Sequence, residues 1–171
     1  MRHLLLVRHA KSSWDDDALS DRERPLAPRG VAALPTMREH LARRQTSVGL
    51  VLCSPARRAI DTLAGIRPSL PADAEVSVED GLYGATAFDL LERLRTLDDA
   101  VRGVMVVGHN PTLQRLGELL AGSGAPAALE QLGAKFPTGA IATLGFGGEW
   151  PALDRAVAHL DDLFMPRRPR P

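Results

Sequence analysis

The sequence predicts a three-layer α/β/α sandwich with a mostly parallel central sheet. Strand-like runs occur at 3–7, 50–53, 75–78, 103–107 and 139–146, with a last candidate at 156–160. Helix-periodic segments separate them, the pattern expected when crossover helices cover both faces of a sheet. The third observation is chemical. Three of the runs end in a basic, hydroxyl or imidazole residue just before a helix start.

Leu4-Leu5-Leu6-Val7 is continuously apolar rather than alternating, as a strand buried on both faces requires. The polar stretch from 10 to 27 follows it. Loops that long in a compact domain are functional or disordered, and this one, starting at a strand end, is read as a wall of the site. Asp15-Asp16-Asp17 within it reads as a solvated turn. Pro28 suits a first helical turn; Val31, Leu34, Met37 and Leu41 then share one face, and Pro35 is expected to kink the helix. Leu50-Val51-Leu52-Cys53 is the second strand, and Ser54 is a candidate cap for the helix after it. Beyond the strand at 75–78, Thr86 and Asp89 form a capping box for a helix carrying Leu90, Leu91, Leu94 and Leu97. After the strand at 103–107, Pro111 opens a helix with Leu113, Leu116, Leu119 and Leu120 that fades into Gly122-Ser123-Gly124. There is no internal repeat. One domain is expected over 1–165, followed by a flexible Pro- and Arg-rich tail at 166–171.

Composition narrows the function. The 171 residues carry 21 basic and 21 acidic side chains, so no basic excess points to nucleic acid or an anionic membrane. Aromatic residues make up only 4%, too few for a base-stacking surface. One cysteine, Cys53, excludes an internal disulfide and reads as a small core residue. With no signal peptide and no apolar span of bilayer length, a cytoplasmic protein is expected, monomeric or weakly oligomeric. His3, His40 and His159 stand alone in a strand, a helix and the last apolar run. No His-x-His or His-Glu-x-x-His spacing is present, so neither metal nor cofactor is expected.

The chemistry is concentrated at the strand ends. Arg8-His9-Ala10 follows the first strand, Ser54-Pro55-Ala56-Arg57-Arg58-Ala59-Ile60-Asp61-Thr62 the second, and Gly108-His109-Asn110-Pro111 the fourth. Ligands of open α/β sheets bind at the carboxyl ends of strands. Imidazole is a competent nucleophile near neutral pH, and a guanidinium fork matches phosphate oxygens. The helix start at Pro111 offers backbone N–H groups and a positive dipole end, with Asn110 beside it. His109 is expected to act as a charged donor. Taken alone, Arg8 and His9 fit a capped strand end as readily as a site.

Together, these motifs resemble the histidine phosphatase superfamily, the phosphoglycerate-mutase-like enzymes. Arg8-His9-Ala10-Lys11-Ser12-Ser13-Trp14 and Arg24-Pro25-Leu26-Ala27-Pro28-Arg29-Gly30 are similar to its small, SixA-type phosphohistidine phosphatases. The resemblance runs from residue 2 to the apolar run near Leu160. It implies that His9 attacks phosphorus to form a covalent phosphohistidine intermediate, with Arg8, Arg58 and His109 around the phosphate. Arg58 holds the motif's arginine position, leaving Arg57 on the rim. Ser12, Lys11 and Asn110 are candidate substrate-binding residues. Asp80, and less well Glu79, occupies the region where ester-cleaving relatives carry a leaving-group acid. The expected substrate is phosphohistidine in a partner protein. The alternatives are a small-molecule phosphomonoesterase on the same scaffold and a phosphohistidine-binding module without turnover. A phosphoglycerate mutase fits less well, because the chain has few insertions to enclose a metabolite. A nucleotide-binding protein is disfavoured by the absence of G-x-G-x-x-G and G-x-x-x-x-G-K-[ST] motifs.

Overall fold

The computed structural model describes residues 1–44 and 47–166. Residues 167–171, most of the predicted tail, lie outside the described residues. In chain order the elements are β1 (Arg2–Arg8), α1 (Pro28–Arg44), β2 (Leu50–Cys53), α2 (Arg57–Ile66), β3 (Glu75–Val78), α3 (Ala87–Arg95), β4 (Gly103–Gly108), α4 (Thr112–Leu120), β5 (Ala121–Gly124), α5 (Pro126–Ala134), β6 (Ile141–Phe146) and β7 (Ala158–Phe164). The strands form one sheet in the order β3-β2-β4-β1-β6-β7-β5. Only β6 runs against the others, pairing antiparallel with β1 and with β7. No helix among the described residues is long and apolar enough to cross a membrane.

The sandwich follows from side-chain alternation along the central strands. Leu4 and Leu6 of β1 face a core with Leu90 and Leu94 of α3, Leu113 and Leu116 of α4, and Leu132 of α5. Leu5 and Val7 face the opposite core, with Met37 and Leu41 of α1 and Leu63 and Ile66 of α2. Each such side chain taken out of water contributes about 1.5–3 kcal/mol, so a continuous apolar run is what a two-faced strand needs.

The capping box at Thr86 and Asp89 forms in both directions. α1 begins at Pro28 and continues as one helix through Pro35. Of its proposed apolar face, Met37 and Leu41 are buried, Leu34 is half-buried and Val31 is exposed, and Gly30 is buried beside them. The face starts at glycine because a Cβ on Gly30 would lie 2.1 Å from the Lys11 carbonyl oxygen. Two elements depart from expectation: Ala121–Gly124 is an edge strand rather than a fading helix end, and α5 follows it.

Register sets the site. Arg8 pairs with Gly108 across β1 and β4, and Cys53 pairs with Val107 across β2 and β4. His9, Ser54 and His109 are each the next residue, so three neighbouring strands deliver them to one edge. The backbone N–H of His9 donates to the Gly108 carbonyl, and that of Ser54 to the Val107 carbonyl.

Candidate active site

His9 is buried, and its Nδ1 lies 2.7 Å from the carbonyl oxygen of Ala10. A carbonyl only accepts, so Nδ1 carries the hydrogen and Nε2 keeps a lone pair. Burial lowers the imidazole pKa to about 3, against the Ala10 hydrogen bond; His109, Arg58 and Arg8 depress it further. The backbone around it is pinned from two sides. The N–H of Gly139 donates to the carbonyls of both Arg8 and His9. The N–H of Ala10 donates to the Thr62 hydroxyl, which itself donates to the Arg58 carbonyl within α2.

His109 sits with its ring centroid 5.2 Å from that of His9. Its Nε2 is 2.6 Å from the Ser54 hydroxyl, and its buried Nδ1 has no protein partner among the described residues. Burial, then the charge of Arg58, lowers its pKa to about 4, opposed by Asp21. Its neutral state at pH 7 departs from the expected charged donor. The physical reason is partial burial beside the charges of Arg58 and Arg8. A phosphate dianion there would reverse the balance. Ser54 also departs from expectation. The helix cap position is Ala56, and the Ser54 hydroxyl meets His109 while also accepting from the Ala56 N–H at 3.3 Å.

Arg58 is buried, while Arg57 is exposed and paired with Asp61 one helical turn on. Arg58 donates to the Asp21 carbonyl at 2.6 Å and to Asp21 Oδ2 at 3.1 Å. Arg8 donates to the Phe136 carbonyl, a group shared with the Asn110 amide. Asn110 also donates to the Gln114 side chain, so it braces the start of α4. Asn110 and His109 line a pocket of about 270 Å³ with Leu82, Thr112 and Arg115.

Other candidates fall outside this cluster or are engaged within the protein. The Ser12 hydroxyl accepts from Arg24 at 2.8 Å. Lys11 lines a larger groove of about 720 Å³ between α1 and the end of β7, together with Arg29, His40 and Phe164. That groove is bigger than the space at His109 but holds none of the histidine pair. Asp80 is 84% exposed and paired with Arg22 at 2.5 Å, and Glu79 is bound to Arg93 and Ser77. Burial pushes the Cys53 thiol up to about 12. Among the described residues, no three His, Cys, Asp or Glu side chains gather as a metal site.

The sequence assigned no role to Asp21 or Tyr83, and marked Arg24 and Thr62 only as members of motifs. Asp21 lies in the 10–27 connection and binds three side chains. Arg24 donates to Oδ1 through Nη2 at 2.7 Å, whereas Arg58 and the Tyr83 hydroxyl, at 2.7 Å, reach Oδ2. These donors hold the Asp21 carboxyl far below the usual carboxylate range, Tyr83 first and Arg24 next. Tyr83 stands edge-on to His109 with centroids 5.9 Å apart, and Arg24 lies over the Trp14 ring. The available signals were modest: a long loop after the nucleophile candidate, and the Arg24-Pro25-Leu26 segment.

The family model for the histidine phosphatase superfamily (branch 1) matches residues 4–86. An uncharacterized protein of Mycobacterium tuberculosis (strain H37Rv) is 39% identical over 165 residues, spanning 94% of this chain and all of that protein. The structure of a protein provisionally named phosphohistidine phosphatase SixA, from Nakamurella multipartitia, aligns with a TM-score of 0.82 at 33% identity, covering 96% of each chain. A similarly named protein from Agrobacterium tumefaciens aligns at 0.80 and 26% identity, covering 97% of this chain and 99% of its own.

Proposed function

Since this chain belongs to the histidine phosphatase superfamily, we propose that it removes phosphate from phosphohistidine in a partner protein, through a covalent intermediate on His9. The observation that carries the reading is the tautomer of His9, with Nδ1 held by Ala10 and a bare Nε2 among Arg8, Arg58 and His109. Nε2 attacks phosphorus and the bond to the leaving ring breaks. The phosphorylated His9 ring becomes cationic, with its Nδ1–H already facing a carbonyl. Water then attacks phosphorus, the electron pair returns to Nε2, and the water's proton leaves with phosphate or through His109. Arg8, Arg58 and His109 hold the three equatorial oxygens, the positioning and charge work that phosphoryl transfer requires.

The leaving group decides between substrates. An ester oxygen departs with developing negative charge and needs a proton donor, worth about 10²–10⁴-fold. The nearby carboxylates suit that role poorly. Asp80 is exposed on an arginine, Glu79 is paired with Arg93, and Asp21 is clamped by three donors. A phosphoimidazole, once protonated, leaves as neutral imidazole and needs no such acid. The test offers the protein phosphohistidine-bearing proteins and common phosphomonoesters with chelator present, and His9→Ala as the blank. Turnover of phosphohistidine with acid-labile label on the wild type supports the reading. Ester turnover without phosphohistidine turnover overturns it, as does full activity in His9→Ala.

A further inference from the structure

We propose that Asp21 is a specificity determinant: its carboxylate, clamped at the site by Arg24, Arg58 and Tyr83, favours a leaving group whose ring is protonated and disfavours one departing as an oxyanion. The inference rests on the phosphohistidine reading and adds a residue to it.

The geometry is unusual for a phosphate site. A cluster that must attract a dianion already contains a fixed anion, bound to the same Arg58 that the phosphate needs. A carboxylate there costs phosphate affinity unless it serves another part of the substrate. Its side chain is about half exposed, so solvent and a bound substrate can reach it. Tyr83, which donates to its Oδ2, packs edge-on against His109. The carboxylate also opposes the depression of the His109 pKa, which places it within electrostatic range of that ring. Each partner favours the ionised form, so Asp21 has no proton to give an ester oxygen.

What an ionised carboxylate can do is stabilise a nearby cation. Phosphohistidine takes a proton from solvent onto the ring nitrogen not bonded to phosphorus, giving a cationic ring. His9 Nε2 forms its bond to phosphorus while the bond from phosphorus to the leaving nitrogen breaks. That electron pair neutralises the ring, which departs as imidazole with its proton retained. Asp21 raises the population of the protonated form and holds its charge until the bond breaks. The same charge repels an alkoxide or phenoxide. When phosphate draws the Arg58 fork away, Oδ2 gains a lone pair for the ring N–H.

Asp21→Asn keeps the shape and removes the charge. The experiment measures kcat and kcat/KM for a phosphohistidine peptide and for p-nitrophenyl phosphate across pH, on the wild type and on Asp21→Asn. The phosphohistidine-to-ester ratio should fall at least about tenfold in the variant, equivalent to about 1.4 kcal/mol. The alkaline limb of the phosphohistidine kcat profile, which reports the bound complex, should move to lower pH, because the bound ring loses its counter-charge. Asp21→Glu, which keeps the carboxylate charge, should preserve the ratio. This second variant also guards against poor folding of the first. An unchanged ratio and an unmoved limb in a folded Asp21→Asn protein overturn the inference and leave the phosphohistidine reading intact. A wild type without phosphohistidine activity overturns that reading itself.

Discussion

Arg58→Ala tests the site most directly, because two independent readouts follow from one deletion. Arg58 is buried beside the histidine pair and depresses the pKa of both rings. Losing one charge-stabilising donor costs about 2.7–4 kcal/mol in the transition state, or roughly 100–1000-fold in kcat. The second readout concerns pH. In the proposed attack His9 is unprotonated, a state favoured by burial and then by the cations near it. Without Arg58 the pKa of His9 rises, so the acid limb of kcat/KM moves to higher pH. Arg57→Ala is the matched control. Its guanidinium is exposed and paired with Asp61, an interaction of at most about 1 kcal/mol that involves neither histidine. The assay is kcat/KM against a phosphohistidine peptide from about pH 2.5 to 9 for wild type and both variants, with spontaneous acid hydrolysis subtracted and thermal melts to establish folding. Arg57→Ala should track the wild type within a few-fold. Equal losses in the two variants, or an Arg58→Ala acid limb that stays in place, would refute the reasoning.

Acid should destabilise the fold through the same two histidines. Their pKa values are lowered to about 3 and about 4 in the folded chain, so below about pH 6.5 the unfolded chain takes up protons that the native one refuses. Stability is therefore full above that pH and falls as pH drops towards those values, by about 3–4 kcal/mol between pH 7 and 5 for the pair. Urea titrations should show this slope, and His9→Gln/His109→Gln should lose most of it; an undiminished slope in the double variant would assign it elsewhere. Gly30→Ala should lower stability by about 1–3 kcal/mol, since its Cβ meets the Lys11 carbonyl at 2.1 Å and that backbone leads from His9. A melting temperature equal to wild type would mean that the contact relaxes without cost.

The parts of the site legible in the sequence are those that sit at strand ends. Arg8, His9, Ser54 and His109 each follow an apolar run, and strand register alone brings the three runs into a row. Asp21 and Tyr83 are different. They meet each other across 62 residues, and Asp21 meets Arg58 across 37, from connections with no periodicity to read. The edge strand Ala121–Gly124 escaped notice for a related reason. Ala-Gly-Ser-Gly has no strand preference of its own. It is extended because it pairs with β7 where Gly122 lets the Ala156 backbone approach, a Cβ there lying 2.0 Å from the Ala156 oxygen. Ser54 was legible as a residue but not in its role. A hydroxyl before a helix reads as a cap until a histidine from another strand is known to compete for it.

Cys53 ends the strand that carries Ser54 into the site, and it is sealed in the core with its thiol held protonated. Peroxide attacks thiolates that solvent can reach, and a buried neutral thiol meets neither condition. With the proposed attack made by imidazole, oxidation has no sulfur to capture at the reacting atom. A low-pKa, exposed cysteine nucleophile is open to peroxide, whereas a site of imidazole and guanidinium groups offers it no such target. Dephosphorylation at such a site would thus follow the supply of phosphorylated substrate rather than the redox poise around it.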